Sequence, residues 1–433
     1  MKNFWLVLVC LISFCSSAFA LDCKKVYLSE AIDIALKNNI DLEANKLNVK
    51  VAENKIIQAN RLQNPSLDYF HFFGNAAKFE PKLVGLNQNI EIAKRNARKK
   101  LAKSEYKLAE KNLEYLTFDL KMDVREAYIE LVASKSILET LEQQKQLQEE
   151  LLNIAKNRVK NNNAPMIDVI QAEIALNQLI TQINTAKMNV KKASHNFNKI
   201  INSPENIVYD SMDMIFAEEN NFEEMLTPSP LQKLPDTEKI VEEALKTRFD
   251  IQISKQEIDL AEKNLVVVAR QRIPDIQISG GYAYLQGKHS YSGDFEHGAY
   301  LGLSVINLPL FYNFSPEIKN AVYKIRQAEL NMASTKNKAI KDVTASYEKF
   351  LTAADNLKHY ESKIITGSAN LIDISKKSYE QGKIDIVSLI VMKQSYKSII
   401  IGYTQALAEY YNSWTNVLRE INNENYKLSN EFL

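Results

Sequence analysis

From Ala93 to Lys160 the chain contains neither glycine nor proline, the two residues that most readily end a helix. A continuous helix over that stretch, rising about 1.5 Å per residue, extends roughly 100 Å. No compact single-core domain holds such a rod, so the 433-residue chain is expected to be elongated. The stretch also carries two apolar stripes. Leu113, Leu116, Leu120, Ala127, Leu131, Leu138 and Leu141 follow one heptad-like seam, and Tyr115, Phe118, Met122, Ile129 and Val132 follow another on nearly the opposite side. Between them lie Asn112, Asp119 and Glu126 on one face and Glu114, Lys121, Lys135 and Glu142 on the other. A two-stranded coiled coil needs one seam. Two seams call for a helical neighbour on each side, as in the wall of a helical barrel with one polar face to a lumen and one to bulk water; a multi-helix bundle is the alternative.

The long helix belongs to a duplication. Ala35-Leu36-Lys37, Asp41, Lys46, Ala52-Glu53, Arg61 and Pro65 recur without a gap as Ala244-Leu245-Lys246, Asp250, Lys255, Ala261-Glu262, Arg270 and Pro274, a constant spacing of 209. Ala109-Glu110, Asp123-Val124 and Tyr128 recur as Ala328-Glu329, Asp342-Val343 and Tyr347, at 219. The added residues fall between Pro274 and Ala328, where glycines cluster, as expected of a surface-loop insertion. Each half reads as a helix, two strands, a very long helix, a tight turn and another helix. The expected boundaries are a first repeat at 21–202 with its hairpin tip near 161–165, a linker at 203–239 bearing Pro228, Pro230 and Pro235, a second repeat at 240–422 with strands at about 274–306 and a tip near 381–384, and a tail at 423–433. Helices are expected near Ser29–Gln63 and Ile167–Ile201.

Strand periodicity is present but sparse. Ile276, Ile278, Tyr282 and Tyr284 alternate with Gln277, Ser279 and Ala283, and Leu301, Leu303 and Val305 alternate with Gly302 and Ser304. The first half offers Leu67–Phe73, aromatic at Tyr69, Phe70, Phe72 and Phe73, and Leu83–Ile90. Four strands cannot close a membrane barrel, for which about eight is the minimum, so several subunits would have to pool theirs.

The N-terminus reads as a cleaved secretory signal over residues 1–20: a basic start at Lys2, an apolar run from Phe4 to Phe14, and the small-residue exit Ala18-Phe19-Ala20. Cys10 and Cys15 leave with it, so only Cys23 remains and no internal disulfide can form. Asp22 precedes Cys23 where a lipidation signal carries a small residue, which argues against a lipid there. Lys plus Arg total 54 against 53 for Asp plus Glu, so the clustered basic excess of a nucleic-acid binder is missing. His71, His195, His289, His297 and His359 show no ligand-like spacing; His289, Asp294, Glu296 and His297 share one glycine-rich loop that reads as solvated rather than as a metal site. No phosphate loop, nucleophile elbow or dinucleotide fingerprint occurs. The expectation is a protein without catalytic residues, resident metal or cofactor.

Particular segments resemble a known family. Asn64-Pro65-Ser66-Leu67 is similar to the approach to its first strand, and Gly85-Leu86-Asn87-Gln88-Asn89-Ile90-Glu91-Ile92-Ala93-Lys94-Arg95 to a strand-to-helix junction. Gly302-Leu303-Ser304, Leu308-Pro309-Leu310-Phe311 and Glu317-Ile318 are similar to the matching junction of the second half. By these the chain resembles the TolC-like outer-membrane efflux family over nearly its whole mature length, in pattern closest to the cobalt-zinc-cadmium type of channel subunit. It departs from that type in lacking a glycine pair before Lys94 and in having Ser315-Pro316 at a usual polar-glycine turn.

The resemblance implies a mainly α fold with a small β part. Duplicated helix hairpins would form a periplasmic helical barrel, and four strands per subunit would join a 12-stranded trimeric barrel in the outer membrane of a Gram-negative type cell. It implies a passive duct carrying metal cations or drugs, with a periplasmic adaptor, an inner-membrane pump and outer-membrane lipid as partners. Residues 203–239 would form a belt around the helices. A helical surface protein of structural or adhesive role is the alternative.

The two hairpin tips carry the candidate site. Asn161-Asn162-Asn163-Ala164-Pro165 breaks the first hairpin and Gln381-Gly382-Lys383 the second, with residues that tolerate the left-handed backbone of a tight turn. Turn chemistry alone accounts for these residue types. The resemblance adds a docking role for Asn162, Asn163, Ala164, Gly382 and Lys383, facing pump and adaptor. It places Asp168 where relatives carry an entrance aspartate; the corresponding step in the second hairpin reaches Ser388, leaving Glu380 and Asp385 as substitutes.

Overall fold

The computed structural model describes residues 22–71, 82–204, 206–213, 236–285, 296–360, 374–375 and 377–423. The signal segment, Phe72 and Phe73, the linker prolines, His289, Asp294 and the tail beyond Asn423 lie outside them. In chain order, β1 (Asp22–Val26), α1 (Leu28–Asn38), α2 (Ile40–Ala59), β2 (Ser66–His71), β3 (Lys82–Ile90), α3 (Lys94–Lys160), α4 (Met166–Ile200) and β4 (Ile207–Ser211) make the first half. The second contains α5 (Thr237–Thr247), α6 (Phe249–Arg270), β5 (Asp275–Leu285), β6 (Glu296–Ile306), α7 (Ser315–His359) and α8 (Ile386–Ile421). The chain forms two packed units: Met1–Leu42, Leu116–Thr247 and Ala339–Leu433 make a helical unit, and Glu43–Tyr115 with Arg248–Lys338 a unit built around a sheet. Among the described residues no helix is long and apolar enough to cross a membrane.

The duplication is visible in the backbone: α5 begins and ends 209 residues after α1, and β5 begins 209 residues after β2. The expected single helix from Ser29 to Gln63 is in fact two, parted at Asn39, whose extended backbone (φ −69°, ψ 114°) ends α1. The Asn39 Oδ1 atom accepts from the Leu42 amide at 2.7 Å, starting α2 as an N-cap does. The same break recurs at Arg248 (φ −55°, ψ 129°), whose guanidinium lies 2.7 Å from the Asp250 carboxylate.

In the helical unit, Phe118, Met122, Ile129 and Val132 of one seam and Ala127, Leu131 and Leu141 of the other are buried. Val124 and Tyr128 are buried as well, so this part of α3 is enclosed on more than two sides. The polar residues between the seams are not all solvent-facing. Asp119, Asp123 and Glu126 surround Arg419 of α8 at 3.7, 2.6 and 3.5 Å, and burial raises the pKa of Asp119 and Glu126. Lys135 donates to Asp210 and to the Ser211 carbonyl at 2.9–3.1 Å.

That lysine holds a two-stranded parallel sheet, β1 with β4, which the sequence periodicity did not reveal. The Tyr128 hydroxyl donates to Asp213 at 2.5 Å and reaches the Val26 carbonyl at 3.1 Å; burial pushes this phenol far above its ordinary pKa. The Asn198 side chain pairs with both the amide and the carbonyl of Tyr209, satisfying backbone groups of β4. Further along, Phe350 packs between Tyr410 and Trp414 at 5.3 and 4.9 Å between ring centroids.

The sheet unit contains a four-stranded antiparallel sheet in the order β2-β3-β5-β6. Its register sorts the side chains. Leu67, Tyr69, Val84, Leu86, Ile278, Tyr282, Leu301, Leu303 and Val305 share one face, and all are exposed. Ser66, Asp68, Phe70, Gly85, Asn87, Asn89, Gln277, Ser279, Gly281, Tyr300, Gly302 and Ser304 share the other. Lys94 at the start of α3 meets the buried Asp275 at 2.7 Å, Asn307 reaches the same carboxylate at 3.1 Å, and Arg270 donates to the Ala93 carbonyl at 2.7 Å. Together they fix the turn from strand to helix.

Candidate functional site at the hairpin tips

The two tips close by the same backbone device. In the first, the amides of Asn162 and Asn163 donate to the carbonyls of Val159 and Arg158 at 3.0 and 2.8 Å. In the second, those of Gly382 and Lys383 donate to Tyr379 and Ser378 at 2.9 and 2.8 Å. This is the Schellman pattern of a helix C-terminus, and it needs a left-handed residue at one position. Asn162 (φ 58°) and Gly382 (φ 72°) occupy it. The following helices restart at once: Pro165 is the N-cap of α4 with Asp168 in its first turn, and Asp385 caps α8.

One arginine joins the tips. The Arg158 guanidinium donates to the Tyr379 carbonyl of the second hairpin at 2.8 Å and to the Asn163 carbonyl of the first at 3.3 Å. It also lies 4.5 Å from the centre of the Tyr379 ring, within cation–π range. The Tyr379 hydroxyl in turn donates to the Asp168 carboxylate at 3.4 Å. Burial, and then the Asp168 charge, hold the Tyr379 pKa above its ordinary value, so it stays a neutral donor. Beneath lies an apolar cluster of Leu151, Leu152, Ala155, Val169, Ala172, Tyr379, Ile386, Leu389 and Ile390. Next along the helices comes a polar layer in which Lys393 donates to the Leu147 carbonyl at 2.8 Å and Lys397 to Gln182 at 2.7 Å.

Of the entrance candidates, Asp168 is tied into this link between hairpins. Asp385 accepts the Ser388 amide at 2.8 Å, and its hydrogen bonds to Ser388 lower its pKa; its contact is that of a helix cap. Glu380 is exposed. Asn162, Asn163, Gly382 and Lys383 are exposed at the turns, Ala164 is half-buried, and Ile167, Ile170 and Ile174 leave an exposed apolar stripe on α4.

Sequence reasoning missed Arg158 and Tyr379. A signal existed: aligned on their left-handed residues, the two tips place Arg158 against Ser378 and Tyr379 against Val159. Where duplicated hairpins differ in a charged and an aromatic residue, the copies have acquired different contacts. Among the described residues no cluster of His, Cys, Asp or Glu could hold a metal ion; His297 shares a hydrogen bond with the Tyr282 hydroxyl, the two rings tilted at 5.6 Å between centroids.

The family model described as outer membrane efflux protein matches residues 31–203 and 240–423, thus both copies. Among solved structures the chain is similar to the CmeC outer membrane channel of Campylobacter jejuni, with 17% identity, a TM-score of 0.68, and 92% of this chain and 87% of that one covered. It is similar to the MtrE outer membrane channel of Neisseria gonorrhoeae, solved in an open state, with 16% identity, a TM-score of 0.70 and coverage of 92% and 89%. It is similar also to CusC, with 14% identity, a TM-score of 0.71 and coverage of 92% of each chain. At such identities the structural likeness is one of fold. No curated protein matches the sequence.

Proposed function

The chain belongs to the outer membrane efflux protein family, and from that premise we propose that three copies form a passive duct with a periplasmic adaptor and an inner-membrane pump. The observation that carries the reading is the sheet. One face is mainly apolar and exposed in the single chain, as a lipid-facing surface is, and the other is mainly polar or small, with Phe70, Leu83 and Tyr300 among the exceptions. Both edge strands, β2 and β6, lack a neighbour within the described sheet. With four antiparallel strands the two edges run in opposite directions, so copies can join β6 to β2 in an unbroken antiparallel ring. Three copies give twelve strands. A surface protein of structural or adhesive role has no use for a sheet divided this way, and a passive duct needs no catalytic group. The β1–β4 sheet held against α3 then belongs to a belt on the helical barrel.

The tips are the docking edge in this reading, with Asn162, Asn163, Ala164, Gly382 and Lys383 facing the adaptor. The Arg158–Tyr379–Asp168 link ties the hairpins behind them at the entrance. A tip contact is small and its centre must exclude water, so one misplaced charge removes most of its stability. Ala164→Glu and Lys383→Glu should therefore leave trimers and bilayer conductance normal while abolishing export and adaptor cross-linking in cells. Normal export and cross-linking in both variants would return these residues to plain turn duty.

A further inference from the structure

One row of the sheet concentrates the inner face's chemistry. Asp68, Gly85, Gly281 and Tyr300 are direct cross-strand partners on β2, β3, β5 and β6. A Cβ at Gly85 would strike the Tyr300 hydroxyl, and one at Gly281 would come within 2.9 Å of the Tyr300 ring. The tyrosine therefore lies along the sheet, its ring over one glycine and its hydroxyl over the next, pointing towards the strand that bears Asp68.

Asp68 is half-exposed. Among the described residues its carboxylate takes a hydrogen bond from Asn87 and pairs with no lysine or arginine. Of the other carboxylate residues that the register puts on this face, Asp275 is buried against Lys94 and Glu296 stands at the start of β6, opposite Leu285. The remaining inner-face positions are glycine, serine, asparagine, glutamine and apolar residues.

We propose that Asp68 and Tyr300 form a cation-recognising girdle in the bore of the strand barrel, suited to organic ammonium ions. The proposal rests on the trimeric duct reading, which repeats the row three times around one lumen. Three carboxylates at one level, with no lysine or arginine on them among the described residues, attract cations and repel anions, and a low-dielectric wall focuses their field. Three tyrosine rings lying flat on the wall add the aromatic faces that ammonium groups prefer. Gly85 matters because a Cβ there would displace the Tyr300 hydroxyl, whereas one at Gly281 would first meet the backbone of Val84 and Gly85 on the neighbouring strand.

The test is block of single-channel current by spermine applied from the barrel side, with reversal potentials in a KCl gradient. Asp68→Asn should assemble normally, raise the half-blocking spermine concentration by about tenfold and lower the preference for potassium over chloride. Tyr300→Leu should weaken spermine block while sparing the ion preference. Asp168→Asn, at the tips, should leave barrel-side block unchanged. Undiminished block in Asp68→Asn channels, or its loss in Asp168→Asn instead, would overturn the girdle while leaving the duct intact. Trimers that conduct nothing would overturn both.

Discussion

At Asn162 and Gly382 the backbone enters the left-handed region, and the residue types follow from that: asparagine tolerates it and glycine has no Cβ to clash. Space is not the constraint at Gly382, since an added Cβ would sit 3.6 Å from Arg158. Gly382→Ala should therefore cost about 1 kcal/mol through backbone strain alone, read as faster amide exchange at Lys383 without loss of assembly. Arg158→Met keeps an apolar stem but gives up both carbonyl contacts and the ring. It should speed exchange at both tips together, whereas exchange raised at one tip only would mean that the hairpins are not linked through this residue. Burial raises the pKa of Glu126 against the pull of Arg419. A carboxyl raised in the folded state favours folding below its unfolded pKa, and that contribution is lost as pH rises through the folded value. Glu126→Gln should thus match or exceed the wild type in thermal midpoint at neutral pH, the difference vanishing below about pH 4. A variant less stable at neutral pH would show that the Arg419 pairing outweighs burial.

At the scale of elements, α3 shows what hydrophobic periodicity reveals and what it hides. Both seams are present, and Met122 and Leu131 are almost fully buried. Replacing Met122 by Asp buries an unpaired charge and should impair assembly, whereas Lys121→Gln should be nearly silent; equal tolerance in a trimer assay would make the second seam an illusion. The four sheet strands were legible because alternation is local, and the long helix because nothing interrupts it. The Asn39 break was hidden because asparagine does not stop a helix unless its side chain finds an amide to cap, here that of Leu42. The β1–β4 sheet was hidden for a different reason. Its five-residue strands pair across a long sequence separation, and their stability comes from Lys135, Tyr128 and Asn198, each on a helix that reads as ordinary from its own pattern. The tip turns were legible from Asn and Gly, but the Arg158–Tyr379–Asp168 link joins positions far apart in the chain.

For the whole molecule, the matching spans of residues 31–203 and 240–423 and the repeated helix breaks say that two copies of one unit were joined. In the proposed trimer six such units would make a ring, and the four-strand sheet, with one mainly apolar face and two edges, would give each copy its share of a membrane wall. Such a ring would be an open path for solutes. This is tested by purifying the oligomer from the outer-membrane fraction in mild detergent and adding it to a planar lipid bilayer. A trimer should insert and give discrete, long-lived conductance steps of uniform size; a folded monomer, or a trimer that inserts and passes no current at any voltage, would rule the duct out.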